Sequence, residues 1–437
     1  MQTIRLLAVL LCCAGSAIAG EPPSRPGVDA PELARAGDQR VGVTTLHLVQ
    51  HGQADVMAYD AASGSAPSVD RNLAVELWYP ARIAPHAAHV VYEASLPSEP
   101  PAPPARFSIP GIAARDAPRS GSGHPLVIVS HGYSNDPNAM TWLTENLASK
   151  GYVVAAIHHD DPPITDRTRV AEPLMRRPLD IAFVAQTLQA MLAKDGFVDA
   201  SRTALIGYSM GGYGVLTAAG ATLDPEGGAV KRVPGGLMLP FARGGALRDA
   251  VVVKGLRAVV AISPAGGGPL AAWGADGMRA ISAPMLLISG NEDRTVDYAT
   301  GARAIFDMAG GAHRYLLTFK GAGHAIGLNP VPDAMRQRLW DEDWFEDPVW
   351  RKDRITAINT HFITAFLDRH VKGDASRDAY LNVPVPESSA GAWPADAQPV
   401  AYDAFSTGTA NVTVWKGFQR NHAAGLELLQ SQVAPAP

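Results

Sequence analysis

The pentapeptide Gly207-Tyr208-Ser209-Met210-Gly211 places a serine hydroxyl where it could act as a nucleophile. The apolar run Ala204-Leu205-Ile206 leads into it and a small-residue segment follows, so the pattern predicts a strand, a sharp turn and a helix, with Ser209 at the apex. A turn that tight leaves little room beside the serine, hence glycine two positions before it and two after. It would thrust the hydroxyl out of the top of a sheet and aim the Met210 N–H at an anionic oxygen. A serine hydroxyl is a weak nucleophile alone. It needs a base to take its proton, an acid to orient the base, and a second N–H to share the developing negative charge.

The chain offers each of these in turn. Pro125 to Ser130 is a short apolar, β-branched run, the pattern of a strand buried on both faces, and His131-Gly132-Tyr133 follows it at once. The N–H of Tyr133 is the candidate second oxyanion donor. Further on, Pro284 to Gly290 reads as a strand and runs into Asn291-Glu292-Asp293, where Asp293 is the leading candidate acid. Asp297 and Glu292 share its loop, and Asp161, at the end of an earlier strand, is a remoter alternative. Arg314 to Phe319 is one more strand, and His324 in the glycine-flanked loop beyond it is the candidate base. Nucleophile, acid and base in the order Ser209, Asp293, His324 match the α/β-hydrolase order.

These loops need a sheet to hold them. Thr44 to Val49 and Leu73 to Trp78 read as opening antiparallel strands, Tyr152 to Ile157 and Ala258 to Ser263 as buried central ones. Met140, Leu143 and Leu147 fall on one face of a helix over Asn138 to Lys150. Ile181, Val184, Leu188 and Met191 do the same over Pro178 to Lys194, and Ile355, Ile358, Phe362 and Phe366 mark a final helix ahead of Gly373. The expected fold class is α/β: an α/β-hydrolase fold with a mostly parallel central sheet, helices on both faces and lid-like insertions.

With these residues in view, the chain resembles serine α/β-hydrolases of the dienelactone-hydrolase-like group, close to bacterial relatives of platelet-activating-factor acetylhydrolase. The resemblance runs from about Val41 to Gly373 and is carried by Val75 to Pro80, the His131-Gly132-Tyr133 loop, Arg177 to Val184, the Ser209 turn, Gly290 to Asp293, Gly323-His324 and Ala357 to Leu367. True dienelactone hydrolases use a cysteine where Ser209 stands, so their substrate does not carry over. Around the site alone the chain is also similar to bacterial cutinase-like polyester hydrolases. The resemblance implies a carboxylic-ester hydrolase that favours short acyl chains.

Residues 1–19 carry an early Arg5, an apolar core and Ala17-Ile18-Ala19 before Gly20, the pattern of a signal peptide with an A-x-A cleavage site. Both cysteines, Cys12 and Cys13, lie inside it, so the mature chain would have no disulfide. Lipid attachment at one of these cysteines is the alternative, disfavoured by the bulky leucines before them. Export without disulfides suggests the periplasm or the medium of a bacterium. The net charge of −5 and the lack of a basic cluster argue against a nucleic-acid partner, and no second apolar stretch is long enough to span a membrane.

The main domain is expected over residues 20–373, with a Pro/Ala-rich surface excursion at about 82–124 and a lid-like insertion at about 221–254. An aromatic insertion follows at about 331–352, and residues 374–437 form an extension without an assigned role. Phe241, Trp340 and Trp344 are candidate walls of a substrate pocket for a small-molecule or lipid-like ester. His158-His159-Asp160-Asp161 invites a metal reading, but neighbouring side chains on extended backbone point apart, so no metal is expected and the turn should sit at the rim of the site. The chemistry needs no cofactor. Two alternatives stay open: a polyester hydrolase, and a non-catalytic binding protein on the same scaffold.

Overall fold

The computed structural model describes residues 22–23, 26–392, 412–418 and 423–433, so the expected signal peptide lies outside the described residues. Apolar runs become strands where expected at β1 (Val41–Ala54), β2 (Ser68–Pro80) and β6 (His124–Ser130), and the excursion between them adds β3 (Val91–Leu96), β4 (Ala105–Pro110) and β5 (Ala114–Arg115). After them come β7 (Val153–Ile157), β8 (Val198–Tyr208), β9 (Leu256–Ile262), β10 (Met285–Gly290), β11 (Arg314–Phe319) and β12 (Leu426–Ser431). The main sheet has ten strands in the order β12-β11-β10-β9-β8-β6-β7-β2-β1-β5. From β7 to β11 every neighbouring pair is parallel, while β2 pairs antiparallel with both β1 and β7.

Parallel strands covered on both faces must be apolar at every position. Here the two alternating sets feed two cores. Val127, Val129, Ile206, Val260 and Ile288 enter one with α1 (Thr141–Ser149) and the helix Lys352–His370. Leu126, Ile128, Leu205, Val259 and Leu287 enter the other with α2 (Ala171–Ala193) and α3 (Met210–Ala218). This is the α/β-hydrolase fold.

Three findings go beyond the sequence reading. First, α2 begins at Ala171 and carries Pro178 in its interior. The proline ring has no N–H for the Leu174 carbonyl four residues back, and the Tyr213 hydroxyl donates to that carbonyl instead, at 2.8 Å. Second, the 82–124 excursion is a two-stranded sheet of β3 and β4, followed by β5, which returns to the main sheet beside β1. Third, the extension after Gly373 completes the sheet: β12 pairs antiparallel with β11 from Arg314↔Ser431 to Phe319↔Leu426 and covers its edge. The extension therefore has a structural role that its composition did not disclose. Among the described residues no helix is long and apolar enough to cross a membrane.

Candidate active site

β8 ends at Tyr208 and α3 starts at Met210, so the whole change of direction falls on Ser209, at φ 54° and ψ −116°. A side chain rarely adopts that conformation, and it persists because the surroundings fix the turn. The Ser209 N–H donates to the Ile262 carbonyl at 2.9 Å, and the Ser209 carbonyl accepts from Ala265 at 2.9 Å and Tyr213 at 3.2 Å. The glycines are needed for clearance. A Cβ on Gly207 would lie 2.2 Å from the Gly211 carbonyl oxygen, and one on Gly211 would lie 2.0 Å from that of Ser130.

The loops after β10 and β11 bring the other two groups to this hydroxyl. His324 Nε2 stands 3.0 Å from Ser209 Oγ, and His324 Nδ1 stands 2.7 Å from Asp293 Oδ2. The other carboxylate oxygen of Asp293 accepts the N–H groups of Thr295 at 3.0 Å and Val296 at 3.2 Å. Burial of Asp293 works against its charge, but the hydrogen bond and positive charge available from His324, with these two amides, hold its carboxyl below its ordinary range. A carboxylate on Nδ1 fixes the imidazole tautomer that leaves Nε2 free to accept the serine proton.

The alternative acids are engaged elsewhere. Asp297 takes the N–H and hydroxyl of Thr300, Glu292 faces Arg294 at the surface, and Asp161 is paired with Arg177. The histidine ring is held as well. Tyr208 stacks on it with ring centroids 5.3 Å apart, and the Tyr208 hydroxyl donates to the His324 carbonyl at 3.1 Å.

Tyr133 lines the cavity at Ser209, and Met210 follows the serine in the chain as the first residue of α3. Neither backbone N–H has an acceptor among the described residues. A cavity of about 260 Å³ opens at Ser209, and Tyr133, Asn135, Tyr208, His324, Trp340 and Trp344 contribute to its lining. Trp340 and Trp344 meet edge to face at 5.7 Å, forming an aromatic wall. The rest of the aromatic insertion is core: Phe345 packs on Phe107 and Trp350 on Phe319.

Phe241 is a correction. No residue of the 221–254 insertion lines this cavity. Phe241 packs instead against the core that holds α2 and α3. The insertion lies so close to Tyr59 that a Cβ on Gly235 would fall 2.1 Å from its ring. Its apolar residues bury surface on that side of the sheet and do not roof the serine.

The His158–Asp161 turn splits into separate tasks. Asp161 enters the ion pair with Arg177, while His159 is buried with Nδ1 2.8 Å from Asp180 and Nε2 2.9 Å from the Ser130 hydroxyl. Burial and the nearby Arg177 and Arg71 charges push the His159 imidazole well below its ordinary range, so it is neutral. Among the described residues no group of three or more His, Cys, Asp or Glu side chains is arranged to hold a metal. Sequence reasoning missed Arg177 and Asp180 as part of the site's foundation, because charged residues on a helix read as a solvated face.

A family model described as PETase, PET hydrolase-like, matches residues 117–226, a segment that contains the His131 loop and the Ser209 turn. Cutinase est2 of Thermobifida alba is 34% identical over 108 residues, which is 24% of this chain and 34% of the cutinase. Cutinase cut1 of Thermobifida fusca is 33% identical over 108 residues, 24% of this chain and 32% of its own length. The chain thus spans about a third of the length of the curated relatives it matches. Among solved structures, a ferulic acid esterase from Streptomyces cinnamoneus is similar with a TM-score of 0.48 and 20% identity, covering 81% of this chain and 94% of that one.

Proposed function

We propose that this protein is a serine carboxylic-ester hydrolase that works through an acyl-enzyme. The observation that carries the reading is the unbroken relay from Ser209 Oγ to His324 Nε2 and from His324 Nδ1 to Asp293. Ser209 attacks the ester carbonyl while His324 takes its proton. Asp293 stabilises the imidazolium that forms, and the Tyr133 and Met210 amides hold the oxyanion. Protonated His324 then gives its proton to the departing alcohol, and water repeats the sequence on the acyl-enzyme. The partial matches to cutinases and to the PET hydrolase-like family support ester bonds as the target. The test is Ser209→Ala, which is expected to lower kcat by about 10⁶ while the fold persists; a variant that keeps substantial turnover contradicts the assignment.

The favoured substrates are uncharged esters with short to medium acyl groups, as the resemblance to the dienelactone-hydrolase-like and acetylhydrolase-like group implies and as a cavity of about 260 Å³ supports. A polyester is the second reading, favoured by the PET hydrolase-like match over residues 117–226. Release of soluble acids from a polyester film, with poor turnover of short p-nitrophenyl esters, would promote it over the first. The reading includes export by the leader at residues 1–19, which predicts a mature N-terminus at Gly20 in a mass spectrum of the exported protein.

A further inference from the structure

Arg177 lies in α2, beneath the His131 loop, and is completely buried. Its Nη2 donates to the Gly132 carbonyl at 2.9 Å, and its Nη1 donates to the His131 carbonyl at 2.5 Å and to the Ser130 hydroxyl at 3.0 Å. The Gly132 carbonyl has a second donor in the Nδ1–H of His131, at 2.7 Å. Asp161 closes the clamp. It pairs with Arg177 through Nη2 and, at 3.2 Å, through Nε, and it accepts the Ser134 N–H at 2.9 Å. A second buried pair, Arg71 with Asp180, holds neutral His159 and through it the Ser130 hydroxyl against the other edge of the guanidinium.

The Gly132 carbonyl and the Tyr133 N–H belong to one planar trans peptide unit and point in opposite directions. Whatever fixes the carbonyl aims the amide. A cation bonded to that carbonyl also polarises the unit and makes its N–H a stronger donor. We infer that Arg177, locked by Asp161, is a positioning residue of the oxyanion hole: by gripping the Gly132 carbonyl it presets the Tyr133 N–H toward the developing oxyanion. The inference rests on the reading of Tyr133 as an oxyanion donor. It assigns to a residue that never meets the substrate a specific share of transition-state stabilisation. Lysine keeps the charge at this position but cannot hold two carbonyls, a hydroxyl and a carboxylate at once.

The test compares the full-length wild type, Arg177→Lys and Asp161→Asn on a p-nitrophenyl ester and on the matching thionoester. Sulfur is a poor hydrogen-bond acceptor, so a well-aimed oxyanion hole favours the oxygen ester. In Arg177→Lys, kcat on the oxygen ester is expected to fall by about tenfold or more while KM stays within about twofold, because the lost interaction belongs to the transition state. The thionoester should lose much less, so the ratio of the two rates collapses. Asp161→Asn should move the ratio the same way by a smaller factor, and it carries the test if Arg177→Lys does not fold. Equal losses on both esters in a folded variant, or an unchanged kcat, overturn the inference and leave the esterase reading standing. A wild type that hydrolyses neither ester and takes no fluorophosphonate overturns the esterase reading, and this inference with it.

Discussion

The ammonium group of Lys352, buried at the start of the helix Lys352–His370, donates to the carbonyl of Ala325, the residue after His324. On the other side of the histidine, the Gly323 N–H donates to Asp347 at 2.7 Å, and one residue beyond Ala325 the Ile326 carbonyl accepts from Asn359 at 2.8 Å. His324 thus sits on a loop pinned at both flanks by side chains from the segment that follows it. Lys352→Met keeps most of the side-chain volume and removes the donor. Its kcat is expected to fall by about tenfold or more with KM near the wild-type value, since small displacements of a catalytic group are expensive. Steady-state kinetics on a short ester decide it; an unchanged kcat means that the lysine is packing alone.

Lys352 also predicts a pH effect on stability. Burial pushes its ammonium down to about 8 from its ordinary 10.5, so between those limits the unfolded chain holds a proton that the folded one has released. Stability therefore rises with pH across that window because of this group, and below about 8 its contribution is level, at its least favourable. Denaturant titrations should show the wild type gaining on Lys352→Met as pH is raised from about 8 to 10.5. A constant difference across the window contradicts the assignment.

The strain at Ser209 gives a prediction of unusual sign. Ser209→Ala and Ser209→Gly both lose the bond to His324, so they differ by one Cβ on a residue at φ 54°. At most buried positions alanine is the more stable of such a pair. Here glycine should be the more stable by about 1 kcal/mol, as relief of the strained backbone exceeds the entropic cost of glycine. Melting temperatures of the two inactive variants check this, and an Ala variant at least as stable as the Gly variant counts against a strained turn.

Much of the site was legible because its parts follow strand ends. Pro125 to Ser130 and Ala204 to Tyr208 have the unbroken apolar character that burial on both faces demands, and the loops after them carry Tyr133 and Ser209. The spacing left Glu292, Asp293 and Asp297 in contention. Only the backbone path decides which carboxylate reaches His324. β12 was not legible, because a short alternating segment after a long Ala/Pro-rich stretch carries no local sign of which edge it will join. Phe241 was misplaced for a related reason: an apolar run in an insertion must be buried, but its pattern does not say against what. Arg177 entered only as the start of a segment that carries the resemblance, and its role was not legible because its partners come from the His131 loop and from Asp161, distant in sequence and invisible to any periodicity.

The half-buried Trp340 and Trp344 should set acyl length. Across p-nitrophenyl esters, each methylene that fits should raise kcat/KM about fourfold, with a maximum at about two to six acyl carbons. Trp340→Ala removes part of the aromatic wall, so the maximum is expected to move to longer chains with little change for acetate. A maximum that stays put places the acyl group elsewhere.

Ser209 is proposed as the activated nucleophile of an ester hydrolase. The direct measurement treats the folded protein with a fluorophosphonate at equimolar ratio, then combines residual esterase activity with peptide mapping by mass spectrometry. One phosphonyl group per chain is expected, on Ser209, with activity lost in proportion to labelling. His324→Ala should take up the label far more slowly, since the serine then lacks the base that activates it. An active protein that stays unlabelled, or one inactivated by a group attached to another residue, rules out Ser209 as the nucleophile.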